Sequence, residues 1–297
     1  MTRDEDRAMP GVREQPSPGE RQHDLLTADF AASGIDTRRF GFYDQSAFLA
    51  RESANPSYLA QYGEWVMTRP ISAEYEAHVR PTVPKLTRLL AKAFARYDAR
   101  GRCVSASCMM TRMLDRLGVW SFGVCGSVIL EAPALGLRRE MQTIALKPGP
   151  LKITGHAWTC APPFLIVDPS LAFQHCDPAF ARLLPETVLA EASARRFYPS
   201  VEDCVSEPVR ALFASAEGWR DPCLHHRLDP GLAGLWRTFP PREFTASGLR
   251  MRFVPVAIRQ PAQSLAHIEL DAEGRTGMTV WNSVVAPAFG MAPLSYE

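Results

Sequence analysis

The sequence predicts an α+β fold in which helices precede an antiparallel sheet. Three observations carry this expectation. Apolar residues recur at helical spacing up to Leu117, short apolar runs bounded by Gly and Pro occupy the stretch from Trp120 to Asp168, and a further β-patterned run, Leu249 to Ile258, lies beyond Pro240. With 297 residues and 46% apolar content, the chain is long enough for one sizeable core domain with extensions.

Taken in order, residues 1–22 hold a charged cluster (Arg3, Asp4, Glu5, Asp6, Arg7) and prolines at 10, 16 and 18 but no aromatic residue, so a disordered N-terminus is expected. The segment has no apolar central run and reads neither as a signal peptide nor as a membrane span. Residues 23–81 mix short helical patterns with breaks and form a helical lead-in. A helix over 83–99 places Leu86, Leu89, Leu90, Ala93, Phe94 and Tyr97 on one side. The next helix, Val104 to Leu117, stops at Gly118, a residue suited to the left-handed position past a helix end.

Strands are expected at 120–130, 141–147, 152–160 and 164–168, the last two joined by a tight turn at Ala161-Pro162-Pro163. Helical patterns return over 175–219, and Leu249 to Ile258 with two runs flanking Asp271-Ala272-Glu273-Gly274 predict a closing hairpin. The expected division is thus a core over 82–172 and a C-terminal extension, 173–297, packed on it.

The candidate chemistry lies in that core. Cys103 opens the helix that follows Gly101-Arg102, His156 lies in Gly155-His156-Ala157-Trp158, and Asp168 closes Phe164-Leu165-Ile166-Val167 before Pro169-Ser170. A thiol has a pKa of about 8.5 and reacts as thiolate, and unpaired N–H groups at a helix N-terminus favour the charged form. The same N–H groups can bind a developing oxyanion. If the turn centres on Pro162, His156 faces Asp168, Trp158 faces Ile166 and Cys160 faces Phe164, all on one side of the hairpin. Opposed Cβ atoms lie about 4.5–5.5 Å apart, so the carboxylate can hold one imidazole nitrogen and leave the other for the thiol. Nucleophile, base and orienting acid are then complete. Trp158, beside the base, is the candidate wall of a substrate cleft.

Gly-x-Cys opening a helix, Leu117-Gly118-Val119 fifteen residues on, His-Ala-Trp and Asp-Pro-Ser together resemble the transglutaminase-like superfamily of papain-related fold over residues 82–171. The resemblance implies a nucleophile helix packed on an antiparallel sheet, with Cys103, His156 and Asp168 as a triad that forms a thioester acyl-enzyme. Gly118-Val119-Trp120-Ser121-Phe122 departs from that family's usual Gly-Ile-Pro-Ala-Arg. Hydrolases, deamidases, amine transferases and inactive scaffolds share such a fold, so the reading is cysteine-dependent acyl transfer on a protein, a peptide or a small amide or ester. The alternatives are a non-catalytic interaction module and an arylamine N-acetyltransferase-like enzyme.

Composition narrows the partners. The 33 basic and 32 acidic residues leave a formal charge of +1 spread along the chain, so neither nucleic acid nor an anionic membrane is expected. Seven cysteines lack framework spacing, which fits a reducing compartment, and the cytoplasm is the expected location, with a secreted effector as the alternative. Cys223-Leu224-His225-His226 and His175-Cys176 contain zinc-ligand types without paired finger spacing, so neither a metal nor any other cofactor is expected.

Overall fold

The computed structural model describes residues 17–145, 155–174 and 178–295. Five helices come first: α1 (Pro18–Ala32), α2 (Ser46–Ala54), α3 (Tyr58–Thr68), α4 (Ala73–Arg96) and α5 (Cys103–Arg116). Residues 18–22, expected to be disordered, are helical, because Ser17 and Glu20 form a reciprocal capping box at the start of α1; residues 1–16 lie outside the described residues. α4 begins ten residues before the expected start. Ser72 caps it, and the apolar stripe Val79, Val83, Leu86, Leu90 and Phe94 runs through Pro81 and Pro84, so burial of one face outweighs two missing backbone donors.

The strands are β1 (Phe122–Ala132), β2 (Leu137–Met141), β3 (His156–Ala161), β4 (Phe164–Asp168), β5 (Val188–Ala190), β6 (Arg195–Arg196), β7 (Arg242–Ala246) and β8 (Leu249–Arg259). They form one antiparallel sheet in the order β5-β4-β3-β1-β8-β7-β6, with β2 also on β1. β1 is the axis. One of its edges is shared in succession by β3, along Phe122–Gly126, and β2, along Val128–Ala132, while β8 follows nearly its whole other edge. The mixed fold is therefore α+β with an antiparallel sheet.

Two sequence expectations change. The strand expected over 141–147 is β2, earlier in the chain, where Gly136 in the left-handed region (φ 63°) ends a short helical turn and lets the chain reverse; the expected start of the following strand, before residue 155, lies outside the described residues. Residues 173–297 also do more than pack on a finished core. They supply β5–β8, and β8 is the direct neighbour of β1, because its run of buried residues (Met251, Phe253, Val254) needs cover on both faces.

Helices cover both faces. Phe30, Tyr62 and Trp65 of α1 and α3 pack on Phe122, Val124, Trp158, Ile166 and Phe253. On the opposite face Leu86 and Leu90 of α4 and Met109, Met110 and Met113 of α5 meet Val167 and Trp281. Between β4 and β7 lie α6 (Pro178–Ala181), α7 (Val201–Cys204), α8 (Glu207–Glu217), α9 (Leu224–Leu228) and α10 (Leu232–Thr238), the last four of which build a small third core around Leu232, Trp236 and Val254. Of the expected closing β-structure Leu249–Ile258 forms as β8, whereas the two runs flanking Asp271-Ala272-Glu273-Gly274 make only a bridge between Glu269 and Thr276, and the chain then turns helical from Gly277 to Phe289. Among the described residues no helix is long and apolar enough to cross a membrane.

Candidate active site

Cys103 is the first residue of α5, as its sequence neighbours predict. The approach to it is fixed by backbone geometry: Gly101 adopts φ 68°, and its N–H donates to the Phe173 carbonyl at 3.0 Å, which ties the loop before Cys103 to the segment just past Asp168. Arg102, at the N-cap, offers no side-chain acceptor, so the first-turn N–H groups are left for another anion. One turn later Ser107 clamps α5 to β3, its hydroxyl donating to the Trp158 carbonyl at 2.8 Å and lying 3.2 Å from Thr159 Oγ1. The helix can come this close because Gly123 of β1 has no side chain; a Cβ there would stand 3.2 Å from Ser107 Oγ and 2.6 Å from the Arg259 carbonyl oxygen.

His156 and Asp168 meet, but not in the expected register. Thr159 stands opposite Val167 rather than Leu165, and the ladder shifts between that pair and Ala161 opposite Phe164. Continuing the register puts Asp168 across from Trp158, so His156 reaches it diagonally. The displacement of two residues preserves the face of each side chain in β4 beyond the shift, which is why the pairing survives; Phe164, before the shift, joins the α5-side core instead.

The result is a fully enclosed ion pair. His156 Nε2 lies 2.6 Å from Asp168 Oδ2, with both side chains completely buried. A carboxylate only accepts, so Nε2 carries the proton. Asp168 Oδ1 accepts from the Ser170 backbone N–H at 2.7 Å and from its hydroxyl at 2.8 Å, an Asx turn through Pro169. Both carboxylate oxygens are thus satisfied inside the fold.

Nδ1 of His156 is buried and has no partner in hydrogen-bonding geometry. With Nε2 committed to Asp168, Nδ1 is the nitrogen left to face the half-buried Cys103 thiol. Thiol and ring are close enough to couple their charges. Burial opposes ionisation of Cys103, yet the His156 imidazole and the Ala157 N–H together lower its pKa. Burial likewise opposes a charged His156, but the Asp168 carboxylate and the thiol outweigh it and raise the ring to about 10. Both shifts favour a thiolate beside an imidazolium at neutral pH. Burial instead pushes Cys108 and Cys125 up to about 11.

The structure therefore brings together Cys103, His156 and Asp168. It does not bring Trp158 to the cleft. That side chain is buried in the α1–α3 core, edge-on to Phe253 with ring centroids 5.1 Å apart. Ser170 is the supporting residue the sequence reading passed over, although Asp-Pro-Ser carries an Asx-turn signal. Of the zinc-type residues, His175 and Cys176 lie outside the described residues, and among the described residues no three His, Cys, Asp or Glu side chains gather to hold a metal.

No protein-family model, curated protein or solved structure matches the chain.

Proposed function

We propose that the protein is a cysteine-dependent acyl-transfer enzyme acting on an amide or ester, with Cys103 as nucleophile, His156 as base and Asp168 as the group that orients the ring. The observation that carries this reading is the buried 2.6 Å His156–Asp168 pair beside a thiol of lowered pKa at the start of a 14-residue helix. The Cys103 thiolate adds to the carbonyl carbon, and the first-turn N–H groups of α5 stabilise the oxyanion. As the carbon–nitrogen bond breaks, His156 gives its Nδ1 proton to the leaving amine and a thioester remains on Cys103. Water then loses a proton to His156, adds to the thioester and releases the acid, while an amine acceptor in its place gives a new amide. Asp168 keeps the Nε2 proton in place throughout and stabilises the imidazolium.

Peptide mass spectrometry after iodoacetamide treatment across pH tests the reading. Cys103 is expected to label ahead of the other six thiols below pH 7, and Cys103→Ser is expected to melt like the wild type while losing labelling at this site. Preferential labelling of another cysteine removes the assignment. A wild-type protein that labels at Cys103 yet never accumulates or turns over an acyl-enzyme with activated esters supports the interaction-module reading, and dependence on acetyl-coenzyme A supports the acetyltransferase reading.

A further inference from the structure

Beyond the triad, the ground beside Cys103 carries a positive charge that has no carboxylate partner among the described residues. Cys125 of β1 pairs directly with Ala157 of β3, whose N–H supports Cys103, and on its other side with Ala257 of β8. Two residues away on β1, Gly123 faces α5, since a Cβ built there points at Ser107 Oγ. Directly opposed residues in an antiparallel pair project to the same face. Arg259 is the residue opposed to Gly123, so its side chain rises on the α5 face at the exposed end of β8.

β8 holds three arginines, and they differ sharply. Arg250 and Arg252 both pair with Glu131, and Arg252 also meets Asp203 at 2.8 Å. Arg259 forms no ion pair among the described residues. Its neighbours are instead the thiols of Cys125 and Cys108, whose pKa values it holds back from a larger rise, and Cys125 in turn interacts with Cys103. A guanidinium is a strong fork-shaped donor whose natural partner is a carboxylate, and a thiol is a poor substitute.

We propose that Arg259 forms a carboxylate-binding subsite next to Cys103, selecting acyl donors that carry a carboxylate close to the scissile carbonyl. This rests on the reading of Cys103 as nucleophile and adds a substrate class to it: acidic peptides or amides of dicarboxylic acids. The helix N–H groups serve the oxyanion, and Arg259 serves the permanent charge of the donor, so the two anion-binding features act on different groups.

Iodoacetate and iodoacetamide test the subsite without a known substrate. The thiolate displaces iodide from each, and the reagents differ in carrying a carboxylate or a neutral amide. The readout is the ratio of Cys103 alkylation rates, iodoacetate over iodoacetamide, by peptide mass spectrometry, in the wild type, Arg259→Gln and Arg259→Lys, with melting curves to show that each variant is folded. Dividing by the neutral reagent cancels changes in thiolate population, and comparison with the wild type cancels attraction by the His156 imidazolium. Removing one nearby charge is expected to lower the ratio about fivefold in Arg259→Gln, and Arg259→Lys is expected to retain most of it. Selective Cys103 labelling with a ratio unchanged in Arg259→Gln overturns the subsite and leaves the nucleophile reading standing. A Cys103 that is no more reactive than the other thiols to either reagent overturns both. If Arg259→Gln does not fold, Arg259→Ala is read in the same way, and a ratio unchanged from the wild type overturns the subsite.

Discussion

The two ends of α5 each place an enclosed carboxylate beside a polar partner, and the two carboxylates fare differently. At the N-terminal end Asp168 is fully buried and holds three hydrogen bonds, one from a ring that is itself driven to carry charge. At the C-terminal end half-buried Asp115 accepts one hydrogen bond, from Tyr43 Oη at 2.6 Å, while its Oδ1 is shut off from solvent without a partner. Burial raises Asp115 to about 7, with Tyr43 and Arg112 only partly opposing it. Enclosure alone therefore does not decide how well a carboxylate is satisfied. What separates the two is the number of donors, since each unfilled lone pair inside the fold leaves the charged form under-stabilised.

The largest effect that would break this comparison is at Asp168. Asp168→Asn is expected to lower acyl-transfer activity by about 10³- to 10⁴-fold, because the amide holds the ring in the wrong tautomer and no longer stabilises the imidazolium. In steady-state rates against pH the alkaline limb, set near 10 by His156, should move down toward the ordinary histidine value of about 6.5, since burial of the ring is then opposed by the thiol alone. An unchanged profile would mean that Asp168 only shapes the turn into Pro169.

Asp115→Asn should act on stability and leave the thiol alone. The folded-state pKa of Asp115 lies above the unfolded value of about 4, so the folded state binds the proton more tightly and stability falls as pH rises from about 4 to about 7. The variant lacks that loss. It is expected to be the more stable form at pH 8, by on the order of 2 kcal/mol, and to lose the advantage at pH 4, as read by melting at both values. Tyr43→Phe should go the other way, costing about 1–2 kcal/mol at pH 8 by leaving both Asp115 oxygens unpaired, and less at pH 4. Cys103 labelling should be unchanged in both variants.

The smallest expected effect is at Ser170. Ser170→Ala removes the hydroxyl from Asp168 Oδ1 but leaves the backbone N–H, so activity should fall only about threefold. A loss comparable to that of Asp168→Asn would make the hydroxyl, rather than the turn, the anchor of the carboxylate.

The N-terminal end of α5 was legible in the sequence because its signals are local. A glycine before the cysteine, a helical stripe after it and a short hairpin carrying His156 and Asp168 each lie within a few residues, and an error of two in the register keeps side chains on the same face. The C-terminal end was not legible. Asp115 meets Tyr43 from 72 residues away, and nothing in the helical pattern distinguishes it from a solvated acid. The same holds for β8, whose apolar run announced a strand but not its place beside β1, and hence for Arg259. Trp158 was misplaced for the opposite reason, proximity in sequence to His156, when its ring packs into the α1–α3 core.

The central claim is that Cys103 stands as a thiolate against an imidazolium held by Asp168. The rate of Cys103 alkylation by iodoacetamide, followed from pH 4 to 10 in the wild type and in Asp168→Asn, tests it most directly. The account predicts a wild-type rate that is already on a plateau at neutral pH, with its midpoint well below the ordinary thiol value of about 8.5, and a midpoint displaced upward in the variant. A wild-type midpoint at or above 8.5, or identical curves for the two proteins, would contradict it.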